Sequence, residues 1–377
     1  MKKRKLLIPI LLGLVVGQIF AEGGRPFTLI NTLRFGYDDN VHRTADAESS
    51  AYVRDMVDFS FNASLSDRTD LVFKSRVEFR SDVSQDIYPN LYVVLSHSVS
   101  PRLMLQFTEY FRSGDRATGS TGGRKNYFEN KFGVNATYVL AEKDRLEFTY
   151  DNKIRRHESE LDQEDVTANS LGVYWARDIR PLRTRSVLGF YQRFVDNENR
   201  DSSFDASDMT AKLHHTFNQS WQGTAEVGGS YVQTESSTSF GSDSRMEPLV
   251  RLGGIYSPSP RTRFTANFNS SYRASESSIY VGQTEREILL GIQHDLTAKI
   301  LAKAMVRFMD IAYDERDSET GAGDSDEDRL DLIAELRYKI NRINFLELRL
   351  RHTEESYKNG VADWDQNMID LGWRVEL

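Results

Sequence analysis

Apolar and polar side chains alternate with a period of two, in segments of about ten residues, along nearly the whole chain. This pattern constrains the fold more than any other feature. Successive side chains of a β-strand point to opposite faces, so each segment makes a strand with one apolar and one polar face. Val53, Val57, Phe59, Phe61, Ala63 and Leu65 share one face, against Arg54, Asp58, Ser60, Asn62 and Ser64. Leu146, Phe148, Tyr150 and Ile154 oppose Arg145, Glu147, Thr149, Asp151, Lys153 and Arg155. Late in the chain Leu330, Leu332, Ala334, Leu336, Tyr338 and Ile340 oppose Arg329, Asp331, Glu335, Arg337 and Lys339. After Gly24 no segment carries the 3.6-residue period of a helix.

The connections give the order of these strands. Short turns fall near Asp67, Ser100, Lys143, Pro181, Gln219, Ser259, Thr297 and Arg342. Longer polar stretches lie at 39–51, 81–86, 113–126, 156–168, 196–207, 234–245, 275–284, 313–328 and 356–363. Short turns alternating with long loops are the pattern of a transmembrane antiparallel up-and-down β-barrel, turns on the periplasmic side. Eight turns and nine loops join eighteen strands; merging one hairpin would give sixteen. A propeller would need four strands and a signature per repeat, and a sandwich a second sheet over each apolar face.

Composition agrees once the two faces are separated. The 377 residues are 39% hydrophobic and 28% charged, with a mean hydropathy of −0.53. No run is apolar enough for a bundle of membrane helices, whereas a barrel hides its apolar face in alternation. There is no cysteine, which excludes a disulfide framework, a thiolate zinc site and a cysteine nucleophile. Lys2, Lys3, Arg4 and Lys5 precede the apolar stretch Leu6–Phe20, and Ala21 follows, so residues 1–21 read as a secretory signal peptide and 22–377 as the barrel. Cleavage would remove four basic and no acidic residues, taking the formal charge from −8 to −12. Such an acidic chain is a poor partner for nucleic acid.

The last residues, Asp370-Leu371-Gly372-Trp373-Arg374-Val375-Glu376-Leu377, put Ile369, Leu371, Trp373, Val375 and Leu377 in one apolar row. With Asp370, Gly372, Val375 and Leu377 as its key positions, this end resembles the targeting signal read by the barrel-assembly machinery of Gram-negative outer membranes. The final residue there is usually aromatic and is Leu377 here. Phe35-Gly36-Tyr37-Asp38-Asp39-Asn40 resembles the opening of the putative β-barrel porins of the porin 2 type. That resemblance implies a bacterial outer-membrane barrel, of a kind often found alongside exopolysaccharide and surface-export systems. Its expected surroundings are outer-membrane lipid and lipopolysaccharide, and a homotrimer is one assembly it allows.

Sixteen to eighteen strands enclose an interior too wide for side chains to fill, leaving an aqueous channel. The leading expectation is a porin-like channel for passive diffusion of small hydrophilic solutes, without a cofactor or catalytic centre. Export of a surface polymer is the alternative implied by the resemblance. The candidate pore-lining residues are Lys74, Arg76, Arg80, Arg112, Lys131, Glu147, Arg251, Arg263, Arg337, Glu347 and Arg349, and both signs are present. The third long loop, with Arg116, Arg124, Lys125 and several glycines, is the candidate constriction.

Catalytic and metal signals are sparse. No His-Glu-x-x-His or Gly-x-Ser-x-Gly motif occurs. An outer-membrane hydrolase would have Asp38, Asp39 and His42 as its nearest local candidates. Asp324, Asp326, Asp328 and Glu335 have the spacing of calcium-loop ligands, but Arg329 stands where the glycine is needed. Aromatic residues near strand ends, Tyr37, Tyr88, Trp175, Trp221, Tyr231, Tyr256, Tyr272, Tyr338, Trp364 and Trp373, are expected in two membrane-interface girdles.

Overall fold

A computed structural model describes residues 26–81, 87–117, 124–157, 165–180, 183–197, 202–236, 242–274, 282–313, 326–358 and 363–377. Among them there is no helix, and eighteen strands form one sheet. The first nine are β1 (Phe27–Asp38), β2 (Ser50–Ser66), β3 (Thr69–Arg80), β4 (Ile87–Ser100), β5 (Leu103–Ala117), β6 (Arg124–Ala141), β7 (Asp144–His157), β8 (Val166–Arg180) and β9 (Thr184–Asn197). The second nine are β10 (Ser202–Thr216), β11 (Trp221–Ser236), β12 (Ser242–Ser259), β13 (Thr262–Ala274), β14 (Gly282–Asp295), β15 (Ile300–Tyr313), β16 (Glu327–Lys339), β17 (Asn344–Tyr357) and β18 (Trp364–Glu376). Each pairs antiparallel with its neighbour in sequence, and β1 pairs with β18, so the sheet closes into an up-and-down barrel with no free edge. The expected eighteen strands are observed, and seven of the eight expected turn positions lie at the observed short connections; Pro181 lies outside the described residues. The predicted signal peptide lies outside the described residues.

The loops are shorter than the sequence predicts. Ser202–Ser207, expected in a loop, belongs to β10, and Ser113–Ala117 and Arg124–Asn126 extend β5 and β6 in continuous register, with Arg116 opposite Lys125. Strands run from 12 to 18 residues, against about 9–11 needed to cross a hydrocarbon core. Beyond the apolar band both faces meet water, alternation fades, and only backbone pairing marks the strand.

Burial separates the two faces. The apolar face is the exposed one, with Leu371 57% and Trp373 52% exposed, while the polar face holds Glu129 at 0%, Glu347 at 1% and Asp331 at 2%. In a closed barrel the crowded concave face is the interior, so the charged side chains line the lumen and the apolar ones form the outer belt. On the outer belt, at the turn end, His215, Phe217, Trp221, Tyr256 and Phe264 stack in sequence with ring centroids 4.5–6.2 Å apart. Tyr37, Trp175, Tyr231, Tyr338 and Trp373 also face outward. Tyr88, Tyr272 and Trp364 do not join this girdle: Tyr88 and Trp364 are buried on the inner face near the loop end, and Tyr272 is buried against Phe204 and Arg245. A one-residue change of parity moves a strand-end aromatic from one face to the other. Two polar pairs interrupt the outer face, Asn31 with Asp55 at 2.7 Å and Asn130 with Glu109 at 2.6 Å. Each carboxylate accepts from an asparagine on the adjacent strand, which offsets the cost of leaving water.

Candidate functional site

All eleven candidate pore-lining residues lie on the inner face, as the register shows strand by strand. Asp58 faces Arg76, and Arg76 faces Asn90, which faces Arg112; Glu129 follows, then Arg155. In the same way Glu226 faces Arg251, Arg337 faces Glu347, and Arg349 faces Asp370. Lys74, Arg80, Lys131, Glu147 and Arg263 complete the set.

Three networks hold these charges. At the seam where the first and last strands meet, Arg34 of β1 reaches both Glu347 of β17 and Asp370 of β18. Arg337 adds a second contact to Glu347 at 2.8 Å, and the Tyr52 hydroxyl donates to Asp370 at 3.3 Å. Gly372 makes this reach feasible: a Cβ there would stand 3.2 Å from the Arg34 Cγ. Asp370 and Gly372, singled out as parts of an assembly signal, are thus also parts of the seam; Val375 lies in the outward row of β18. Leu377 exchanges both backbone hydrogen bonds with Leu29.

The second network surrounds Glu129, which is fully buried under four cations: Arg155 at 2.7 Å, Arg112 and Lys131 at 3.2 Å each, and Lys153 at 3.6 Å. The third surrounds Asp331, with Arg351 at 2.9 Å, Arg329 at 3.2 Å and the Thr353 hydroxyl at 2.8 Å. Opposite charges on one wall hold the register and keep the wall wetted. The sequence reading missed Arg34, Asp38 and Gln366 as members of such networks. Their only signal was polarity at an inward position; their partners lie more than 300 residues away for Arg34 and Gln366.

The Phe35–Asn40 segment acts as a latch at the loop end. Gly36 lies under the Tyr52 ring, where a Cβ would come within 2.5 Å of the ring and 2.9 Å of the Ile369 carbonyl. Asp38 accepts from Arg80 at 2.9 Å, Gln366 at 2.8 Å and the Asn40 backbone N–H at 3.1 Å. Asp39 accepts from the Asn367 backbone and side chain, and the Asn40 amide donates to the carbonyls of Thr44 and Asp365. His42 faces Glu48 at 3.3 Å. The two aspartates are therefore engaged in holding β1 to β18 and β3, and the geometry of a His–Asp catalytic pair is not formed.

Other candidates are dispersed. Glu335 sits within β16, near Lys303 and Arg337 at 3.4 Å each, and Asp326 pairs with Lys358, so the calcium-loop spacing does not converge; Asp324 lies outside the described residues. His214 and His215 point to opposite faces, bonding Thr224 and Thr184 respectively. Among the described residues no group of three His, Asp or Glu side chains could hold a metal ion. The backbone of Arg116, Arg124 and Lys125 is paired strand, while residues 118–123 and these three side chains lie outside the description.

Among the described residues, cavities open along the inner wall, two of which are well defined. The larger, about 770 Å³, is lined by Arg193, Lys212, Glu226, Arg251, Asn269 and Glu287 among others. The smaller, about 390 Å³, is lined by Asp58, Lys74, Arg76, Asn90, Tyr92 and Tyr110 among others. Near the loop end the inner wall also carries Phe204 stacked on Tyr272 at 5.8 Å, with Arg245 over the Tyr272 ring at 4.3 Å and Arg80 over Tyr52 at 4.5 Å.

Residues 197–377, which include β10 to β18, match the family described as "Putative beta-barrel porin 2". The Phe35–Asn40 motif lies before the matched span. No curated protein matches the chain. Among solved structures, the outer membrane protein OpdK (OccK1) of Pseudomonas aeruginosa aligns at a TM-score of 0.54 and 14% identity, over 93% of this chain and 99% of that one. The FrpB iron transporter of Neisseria meningitidis aligns at a TM-score of 0.53 and 8% identity, over 88% of this chain; the alignment spans only 62% of FrpB. The ferric citrate transporter FecA aligns at 0.51 and 8%, over 94% of this chain and 79% of FecA. At these identities the likeness is one of fold: a large β-barrel of the outer-membrane kind.

Proposed function

We propose that this chain is a non-enzymatic, porin-like channel of the bacterial outer membrane that passes small hydrophilic solutes by passive diffusion. One observation carries the reading. The sheet closes on itself with an apolar outer belt, and its eighteen strands turn a charged wall of both signs toward the inside. A barrel of this strand number is wide enough to leave a water-filled lumen between its walls. Paired charges hold that wall wet with little cost to a passing polar solute. The family match over residues 197–377 supports the same reading. The signal peptide at 1–21 and recognition of the last strand by the barrel-assembly machinery belong to this proposal as the route to the membrane. The test is swelling of liposomes reconstituted with purified protein. Small sugars and amino acids should enter at rates that fall with solute size, and rates equal to those of protein-free liposomes would refute passive diffusion.

A further inference from the structure

One row of inward side chains crosses five strands at a single level. Lys74 of β3 faces Tyr92 of β4, Tyr92 faces Tyr110 of β5, Tyr110 faces Lys131 of β6, and Lys131 faces Lys153 of β7. The register makes Tyr92 and Tyr110 a directly opposed pair bracketed by lysines. The Lys74 ammonium lies 6.0 Å from the Tyr92 ring and the Lys131 ammonium 5.9 Å from the Tyr110 ring. Lys74, Tyr92 and Tyr110 of this row line the smaller cavity, whose other walls offer Asn90, Ser60 and Thr28.

The charge around this row is out of balance. Arg76 is taken up by Asp58, bidentately at 2.6 and 3.1 Å. Glu129 is shared by four cations, as described above. Among the described residues no carboxylate lies within ion-pair distance of Lys74, and the Lys131 side chain is 48% exposed to the lumen. Asp151 of β7 also interacts with Lys131. With it counted, inward Lys74, Arg76, Arg112, Lys131, Lys153 and Arg155 still outnumber Asp58, Glu129 and Asp151, so the wall keeps surplus positive charge beside two aromatic faces, in a chain whose net charge is −8.

We infer that this row is a binding step for small sugar acids on their way through the lumen. A pyranose ring presents a flat C–H face that packs on tyrosine rings, and its carboxylate matches the Lys74 ammonium, with Lys131, which shares Glu129 with three other cations, beside it. Asn90, Ser60 and Thr28 supply donors and acceptors for hydroxyls, which an aromatic anion would leave unpaired. The inference rests on the channel reading above.

The experiment is single-channel recording in planar bilayers with galacturonate, galactose and benzoate as probes. Galacturonate should interrupt the current at a concentration about tenfold below that of galactose, corresponding to about 1.4 kcal/mol. The Lys74→Gln, Lys131→Gln double variant should remove the difference between the two sugars. Tyr92→Ala with Tyr110→Ala should weaken the galacturonate block about tenfold and leave the ion selectivity in plain salt unchanged, which a merely structural role would not do. Heat-modifiable gel migration confirms that each variant is folded, and the Tyr→Phe pair should retain the block. Equal block by galactose and galacturonate, stronger block by benzoate, or block indifferent to these substitutions would each overturn the inference while leaving the channel intact. An absence of conductance would instead refute the channel.

Discussion

Arg34→Met is expected to lower the unfolding free energy of the folded barrel by about 3–5 kcal/mol, the usual cost of breaking a buried ion pair from one side. Arg34 bridges Glu347 and Asp370, whose side chains are 1% and 4% exposed, so its loss strands two carboxylates at the seam. Arg337 and Tyr52 still reach one carboxylate each, so the barrel should fold but open earlier. The urea midpoint, followed by tryptophan fluorescence in lipid or detergent, should fall, and so should the temperature at which the folded gel band disappears. Arg34→Lys should lose less, because it keeps the charge and loses only the forked geometry. A midpoint unchanged by Arg34→Met would mean that the seam is held by backbone pairing alone.

The second large effect is expected at Glu129. Replacing it with glutamine keeps the shape and removes the one carboxylate that Arg112, Lys131, Lys153 and Arg155 share. Arg112 and Lys131 are partly exposed and can turn into water, so the loss of stability is smaller than at Arg34, about 2–3 kcal/mol. The functional effect is the more informative one. An uncompensated group of four cations on the lumen wall should shift the reversal potential in a salt gradient toward anion preference. Adding Arg155→Met should restore part of both, since it withdraws the most deeply buried of the four charges. An unchanged reversal potential would place this cluster outside the conduction path.

Much of this architecture is written locally. Alternation assigns Lys74, Arg76 and Glu147 to the inner face because the period of a strand is two and each strand speaks for itself. Turns near Asp67 and Lys143 are legible because polar residues there break an otherwise regular pattern. The same local reading fails where the answer depends on a distant strand. Arg34 shows no distinction in sequence from any other inward arginine until closure sets it beside Glu347 and Asp370. Asp38, Asp39 and His42 look like a catalytic group because three polar residues stand close together. Side chains of β18 and β3 instead occupy both aspartates: Asn367 and Gln366 from β18, and Arg80 from β3. Tyr88, Tyr272 and Trp364 look like interface aromatics because strand-end rings suit either face; the register turns Tyr88 and Trp364 inward, and Tyr272 is buried against Phe204 and Arg245. Tyr92 and Tyr110 become a site only when two strands align.

The most direct test of the central claim, a closed barrel with an open polar lumen, is conductance of the purified protein in a planar lipid bilayer. Discrete, ohmic current steps that persist across voltages of both signs are the predicted result. A membrane that stays silent while the inserted protein shows the protease resistance and heat-modifiable migration of a folded barrel would contradict it.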